Sequence, residues 1–231
     1  AARAVVIGTG VAYRRLDIAE LEELSGAGVF YGASVAEAPA LAGERVYVVG
    51  GGNSAGQAAM HLSRHALQVT ILVRGDSLAQ SMSRYLIDEI DAAANIDVSF
   101  ATEVVGGGGE GRLERLELAD RGTGARRTVE AAALFVLVGA RPYTGWLPDS
   151  VARDRWGFVL TGADLEGDDA DPRWPLTRPP LPLESSLPGC FAVGDVRHGS
   201  VKRVASAVGD GAVVVAQVHE HLGREGGGTE G

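Results

Sequence analysis

The chain has 231 residues, of which 45% are hydrophobic and 22% charged, and its formal net charge is −9. That balance excludes a disordered chain, and the negative charge argues against a nucleic-acid scaffold, which would show a basic stripe. No apolar stretch approaches the ~20 residues of a membrane span, and the one cysteine, Cys190, excludes an intrachain disulfide or a C-x-x-C dithiol.

"RAVVIG" (Arg3 to Gly8) reads as a buried strand, and because the chain opens in what looks like the middle of that strand, a preceding segment is expected. "LDIAELEELSGAGVFYGAS" follows as connection. "RVYVVG" (Arg45 to Gly50) is a continuous apolar run, the signature of a central parallel strand. Ser54 to His65 reads as a helix, Gln68 to Val73 as the next strand, and Gln80 to Ala93 as a helix with Met82, Leu86, Ile87 and Ile90 at helical spacing. Ile96 to Phe100 is a further strand. Arg112 to Leu118 and Ala125 to Glu130 flank the turn signal "ADRGTG" and read as an antiparallel hairpin. Ala133 to Gly139 returns as another buried strand. Residues 164 to 183 are acidic, then proline-rich, and read as an exposed loop. "GCFAVGDV" is then a short strand and turn, and the segment from Ser200 to Leu222 a helix with an apolar stripe; the last residues, "GREGGGTEG", look like a tail. The alternation of strand and helix from Gly43 to about Pro148, with a late β-meander, predicts a doubly wound α/β nucleotide-binding domain.

Within it, Gly50-x-Gly52-x-x-Ala55 fits the dinucleotide fingerprint in its G-x-G-x-x-A form. Gly50 makes the tight turn, Gly52 lets the backbone approach a pyrophosphate, and Ala55 allows close strand–helix packing. The helix that follows offers free N–H donors and a partial positive charge, with Asn53 or Ser54 as its cap. About 20 residues on, where an acidic residue would bind the ribose of NAD, this chain has Arg74. A cation there accommodates a 2′-phosphate, which points to NADP; Ser77 adds a hydrogen bond, Arg84 reaches the same group, and Asp76 keeps an NAD reading open.

"VVGGGNSAGQAA", "ALFVLVGARPYTGWL" and "GCFAVGDVRHGSVKRVASAVGDGA", taken together from Ala4 to Leu222, resemble the low-molecular-weight thioredoxin reductase family of FAD-dependent pyridine nucleotide–disulfide oxidoreductases. In that family an NADPH domain is inserted into an FAD domain. The resemblance implies partial FAD-domain material and linker over residues 1–36, an NADPH domain over 37–148 and the return to the FAD domain over 149–231. Gly8-Thr9-Gly10 is similar to the family's A-T-G turn, and Gly139 falls in the motif that follows the meander. Gly194 and Asp195 are similar to its G-D motif, whose Asp meets the ribityl–phosphate region of FAD. Lys202, Arg203 and Val204 stand where the family often has R-Q-A beside the flavin. Of the family's 2′-phosphate cations only Arg74 carries over. Two departures stand out. The family's own FAD fingerprint is missing, so the chain reads as a fragment of a larger reductase with a large exposed apolar face. The C-x-x-C positions hold Gly32 and Val35, so no thiol–disulfide exchange passes through this domain.

Other candidates are weaker. His61 and His65 stand four apart on one predicted helix face, but no third zinc ligand follows. His219 and His221 read as solvent-facing, the acidic run from Asp164 to Asp171 as a solvated loop, Trp146, Trp156 and Trp174 as packing residues, and Cys190 as a buried structural thiol. The leading expectation is the NADPH-binding portion of a thioredoxin-reductase-like flavoprotein, passing a hydride from NADPH to FAD and then to a thioredoxin-like or ferredoxin-like acceptor. The alternatives are a ferredoxin-type carrier reductase and a non-catalytic NADP(H) sensor or regulatory module. A cytoplasmic location fits the lone thiol, the resemblance implies a homodimer, and no nucleic-acid or membrane partner is expected.

Overall fold

The computed structural model describes residues 2–32, 38–166 and 174–226. Val35, most of the acidic run and residues 227–231 lie outside them, while Gly223 to Gly226, read as the start of a tail, continue the last helix. In chain order the elements are β1 (Val5–Ile7), β2 (Val11–Tyr13), α1 (Ala19–Glu22), β3 (Val29–Tyr31), β4 (Arg45–Val49), α2 (Asn53–Leu62), β5 (Gln68–Leu72) and α3 (Arg84–Ala92). They continue with β6 (Ile96–Ser99), β7 (Thr102–Gly108), β8 (Arg115–Asp120), β9 (Arg126–Glu130), β10 (Ala133–Val136), β11 (Ala140–Pro142), β12 (Cys190–Ala192) and α4 (Val204–Gly226). Two compact units form, one from residues 13–139 and one from residues 1–12 with 140–231.

The unit of residues 13–139 is built on a five-stranded sheet in the order β3-β10-β4-β5-β6, with every adjacent pair parallel. Alternation along β4 explains the continuous apolar run in the sequence, because both of its faces are covered. Val46 and Val48 face the layer that holds Ala55, Ala59 and Leu62 of α2 with Leu86 and Ile90 of α3. Tyr47 and Val49 face the opposite layer, where Leu113, Leu116 and Leu118 of the antiparallel β7-β8-β9 meander pack with Leu21 of α1. The architecture is therefore three-layered, helices on one face and meander on the other.

Three sequence-based expectations are completed or changed here. The stretch read as connection contains α1 and the edge strand β3, which pairs with β10 from Val29↔Leu134 to Tyr31↔Val136. The expected hairpin forms from β8 and β9, and the strand that completes the expected meander, to which the sequence reading assigns no residues, is β7, antiparallel to β8. Finally, the second helix begins at Arg84, after a turn from Leu78 to Ser83.

In the other unit β1 pairs in parallel with β12, and β11 has β2 as its neighbour in a second two-stranded sheet. Ile7 packs with Leu147, Val151, Val159 and Val196, while Phe191 packs with Leu181, Leu183 and Val214 of α4. The expected burial of β1 holds for Ile7 alone: Val5 and Val6 are nearly half exposed. The stripe of α4 is likewise covered at Val214 but open at Val204, which is 83% exposed, and at Val208, Val213 and Val215. The loop read as exposed is buried at its ends, through Leu165, Leu181 and Leu183.

Candidate functional site

The parallel sheet dictates where a ligand can sit: at the carboxyl ends of its strands, beside the helix that leaves the first of them. A cavity of about 460 Å³ lies there, lined by Val49 to Ser54, Leu72 to Gly75, Ser77, Gln80, Ser81 and Leu137 to Gly139. It opens where β4 turns into α2. The N-cap of α2 is Gly52, extended at φ −97° and ψ 177°, with no side chain bonded across the helix start. The first-turn amides of α2, at Asn53 and Ser54, have no acceptor inside the helix and border the cavity. Ala55 and Gly56 donate to the Gly52 carbonyl.

The structure brings Gly50, Gly52, Asn53, Ser54, Arg74, Ser77 and Gly139 together around this one cavity. Arg74 carries the only charge among the lining residues, and its guanidinium has no partner among the described residues. In a chain of net charge −9 that is a local inversion of sign at the mouth of a helix N-terminus, which suits an anion. Ala55 is fully buried behind the cradle and packs against the turn at Gly50. Some expected contacts are used otherwise. Neither Asn53 nor Ser54 caps the helix: Asn53 Oδ1 accepts from the Ser83 amide at 2.8 Å. Ser77 Oγ accepts from the Ala79 amide at 3.1 Å, fixing the loop that follows Arg74. Arg84 pairs with Asp88 at 2.9 Å and does not line the cavity. Ser81 is a lining residue that the sequence reading passed over. Its hydroxyl donates to the Gly51 carbonyl at 2.8 Å and so steadies the glycine turn. A serine in a polar turn between strand and helix carries no periodic signal, which is why it escaped.

Gly32, at the first expected dithiol position, is buried with φ +88°, in the left-handed region. A Cβ built there would meet the Tyr13 ring, at 3.0 Å from Cζ and 3.1 Å from Cε2. Tyr31, just before it, donates its hydroxyl to Glu22, whose other oxygen pairs with Arg15. Burial, then the Glu22 hydrogen bond and charge, push the Tyr31 hydroxyl well above the ordinary tyrosine value. The dithiol position is thus filled by packing as well as lost by substitution. Gly32→Cys is expected to lower stability by about 1–3 kcal/mol through backbone strain and the close ring, read as a drop in melting temperature. The second substitution Tyr13→Ala should recover part of that drop; no recovery would mean that the ring is not the obstacle.

In the other unit, Gly194 adopts φ +70° and its amide donates to Asp210 Oδ2 at 3.0 Å. Asp195 is partly exposed, and its carboxylate has no hydrogen-bond partner among the described residues, so it is open to accept from a hydroxyl. Lys202 Nζ lies 4.4 Å from the centroid of the Phe158 ring. Arg203 donates to the Lys202 carbonyl at 3.2 Å, and Val204 opens α4 in an exposed position.

His61 and His65 stand with ring centroids 5.9 Å apart, and no group of three metal-ligating side chains occurs among the described residues. His221 is buried rather than solvent-facing, edge-on to Phe191 with ring centroids 6.2 Å apart. Trp146 and Trp156 are more than half exposed instead of packed, Trp156 lying under the Arg155 guanidinium. Cys190 is buried, and burial pushes its thiol up, partly offset by Ser185. No helix among the described residues is long and apolar enough to cross a membrane.

Residues 1–211 match the family model described as pyridine nucleotide-disulphide oxidoreductase. The "34.2 kDa protein in rubredoxin operon" of Clostridium pasteurianum is 29% identical over 221 residues, which are 96% of this chain and 65% of that protein. Thioredoxin reductase of Listeria monocytogenes is 33% identical over 225 residues, 96% of this chain and 63% of the relative. Among solved structures, thioredoxin reductase from Streptococcus pyogenes aligns with a TM-score of 0.74 at 28% identity, covering 96% of this chain and 66% of that one. This chain therefore spans about two thirds of the length of these relatives. It belongs to the pyridine nucleotide-disulphide oxidoreductase family.

Proposed function

We propose that this family member is the NADP(H)-binding portion of a thioredoxin-reductase-like flavoprotein oxidoreductase, carrying with it part of the FAD-binding domain. The observation that supports this most directly is the pairing of an uncapped helix start with one unpartnered arginine in a single 460 Å³ cavity at the ends of parallel strands. The amides of Gly52 to Ser54 hold the pyrophosphate; Gly50 and Ala55 shape the turn; Arg74 selects the 2′-phosphate, with Ser77 and Gly139 at the cavity rim. On the flavin side, Gly194, Asp195 and Lys202 to Val204 are the residues assigned, Asp195 as acceptor for a ribityl hydroxyl. When bound, the nicotinamide and the flavin supply the hydride chemistry; the chain binds, orients and selects.

The electron acceptor is a thioredoxin-like or ferredoxin-like protein. The packed Gly32 position favours an acceptor that needs no dithiol on this domain. The complete protein acts as a cytoplasmic homodimer on this reading.

Calorimetric titration of the chain with NADPH and with NADH, beside Arg74→Ala, tests the central claim. Arg74→Ala should weaken NADPH by about 1.5–3 kcal/mol, roughly 10- to 150-fold, as for the loss of a charge-assisted contact. NADH should change little. Equal binding of the two nucleotides, or binding of neither, would sink the reading.

A further inference from the structure

We propose that Arg121, at the β8–β9 turn, is a second cation of the 2′-phosphate subsite and so a determinant of NADP(H) over NAD(H). The proposal rests on the nucleotide reading above. It starts from a deficit: a terminal phosphate carries close to two negative charges at neutral pH, and Arg74 is the only charged residue lining the cavity.

Arg121 is 47 positions away in sequence, yet its guanidinium Nη1 donates to the Arg74 carbonyl at 3.0 Å. Its charge therefore sits within one hydrogen bond of the backbone that carries the first cation. Nε faces Glu103 Oε2 at 3.5 Å, with both side chains about half exposed. Nη2 makes no hydrogen bond among the described residues. A guanidinium has five donors in a planar fork, so the hydrogen bond that anchors it leaves N–H groups for an anion.

The turn that presents Arg121 is fixed from both sides. Asp120 Oδ1 accepts from the amides of Gly122 and Thr123 and from the Thr123 hydroxyl, at 2.7–2.9 Å. The Arg121 amide donates to the Ala101 carbonyl at 2.7 Å, and the Ala101 amide donates to the Gly75 carbonyl at 2.9 Å. Ala101 holds φ +47°, a left-handed conformation unusual for a residue with a side chain. A strained residue persists only where its surroundings over-determine it. Here it laces the loop after β5 to the meander turn, with Arg121 closing the circuit onto Arg74. The meander thereby does more than cover a sheet face: it holds a second guanidinium against the backbone of Arg74, the charged residue that lines the cavity. That half-exposed charge is open to an incoming phosphate, and two guanidinium forks on one phosphate strengthen charge-assisted hydrogen bonding.

A purely structural clip predicts something different. Loosening the loop would weaken both nucleotides alike, whereas removing a phosphate ligand changes their ratio. Titration of the chain with NADPH and NADH separates the two, using Arg121→Ala, Arg121→Lys and Arg74→Ala with melting temperatures alongside. Arg121→Ala should raise the NADPH dissociation constant roughly 5- to 30-fold while NADH stays within about twofold. Arg121→Lys, which keeps the charge, should retain most of the NADPH affinity even if the alanine variant folds poorly. An equal loss for both nucleotides, or no loss for NADPH while Arg74→Ala still shows one, overturns the role of Arg121 and leaves the nucleotide reading standing. A wild-type chain without preference for NADPH overturns both.

Discussion

Gly50→Ala is expected to cost about 2–4 kcal/mol of stability and to weaken NADPH at least tenfold. Gly50 has φ +142°, a region that side-chain-bearing residues rarely enter. A Cβ there would lie 2.5 Å from the Leu137 carbonyl oxygen and 3.1 Å from its carbon. Both atoms are backbone, next to β10, and backbone at the end of a paired strand cannot swing away as a side chain tip would. It would also stand 3.3 Å from Ala55 Cβ, so the strand–helix turn is closed on two sides. The turn must then move, and the amides of Gly52 to Ser54 move with it. Gly52→Ala is the matched control. Its Cβ would meet only the Ser81 carbonyl oxygen, at 3.7 Å, from an ordinary extended backbone. That variant should keep its melting temperature within the range of a surface change, about 0.5 kcal/mol. Thermal melts and calorimetry on the two variants separate the steric claim from the binding claim: a Gly50→Ala chain that melts like wild type would refute the first.

The cradle was legible because it is local. Gly50, Gly52 and Ala55 fall within six residues, and the strand before and helix after them announce themselves by pattern. Arg74 is legible because it follows the end of the next strand, a spacing that the parallel fold imposes. What escaped has physical reasons too. β3 is a three-residue edge strand whose partner, β10, lies about a hundred residues away, so nothing nearby marks it. β7 ends in a glycine run, and glycine weakens a strand signal even where pairing with β8 holds it. The expected helix cap was assigned by residue type, but Asn53 serves the Ser83 amide instead, a contact between segments 30 residues apart. Arg121 is the extreme case: its value lies in a hydrogen bond to a backbone atom 47 positions away, and no motif encodes it. The histidine that looked solvent-facing, His221, is buried because α4 turns that face toward Phe191 and Glu184.

Glu184→Ala should be more damaging still, at about 3–5 kcal/mol. Glu184 is fully buried, in the turn that leads into β12 and on to Gly194 and Asp195. Its carboxylate accepts two hydrogen bonds from Arg178, at 2.8 and 2.9 Å, and one each from the amides of Leu181 and Gly189, at 2.9 and 3.0 Å. Removing it leaves two buried amides without an acceptor and a guanidinium without its counter-charge. Arg178 is 23% exposed and can reach water, which places the cost toward the lower end of that range. The same site sets an acid limit. Burial alone would raise the Glu184 carboxyl; the Arg178 hydrogen bonds, the two amides and the Arg178 charge overcome it and hold the group below the ordinary glutamate value. A depressed folded-state value means that the stabilisation is complete above the unfolded value, about 4.3, and is lost as pH falls through the folded one. Wild type should therefore lose melting temperature steeply below about pH 4. Glu184→Gln, which keeps the shape but cannot ionise, should start lower at pH 7 and fall less on acidification. Parallel acid slopes for the two proteins would place the acid sensitivity elsewhere. A Gln variant as stable as wild type at neutral pH would show that the geometry of this turn, rather than its charge, holds β12 in place.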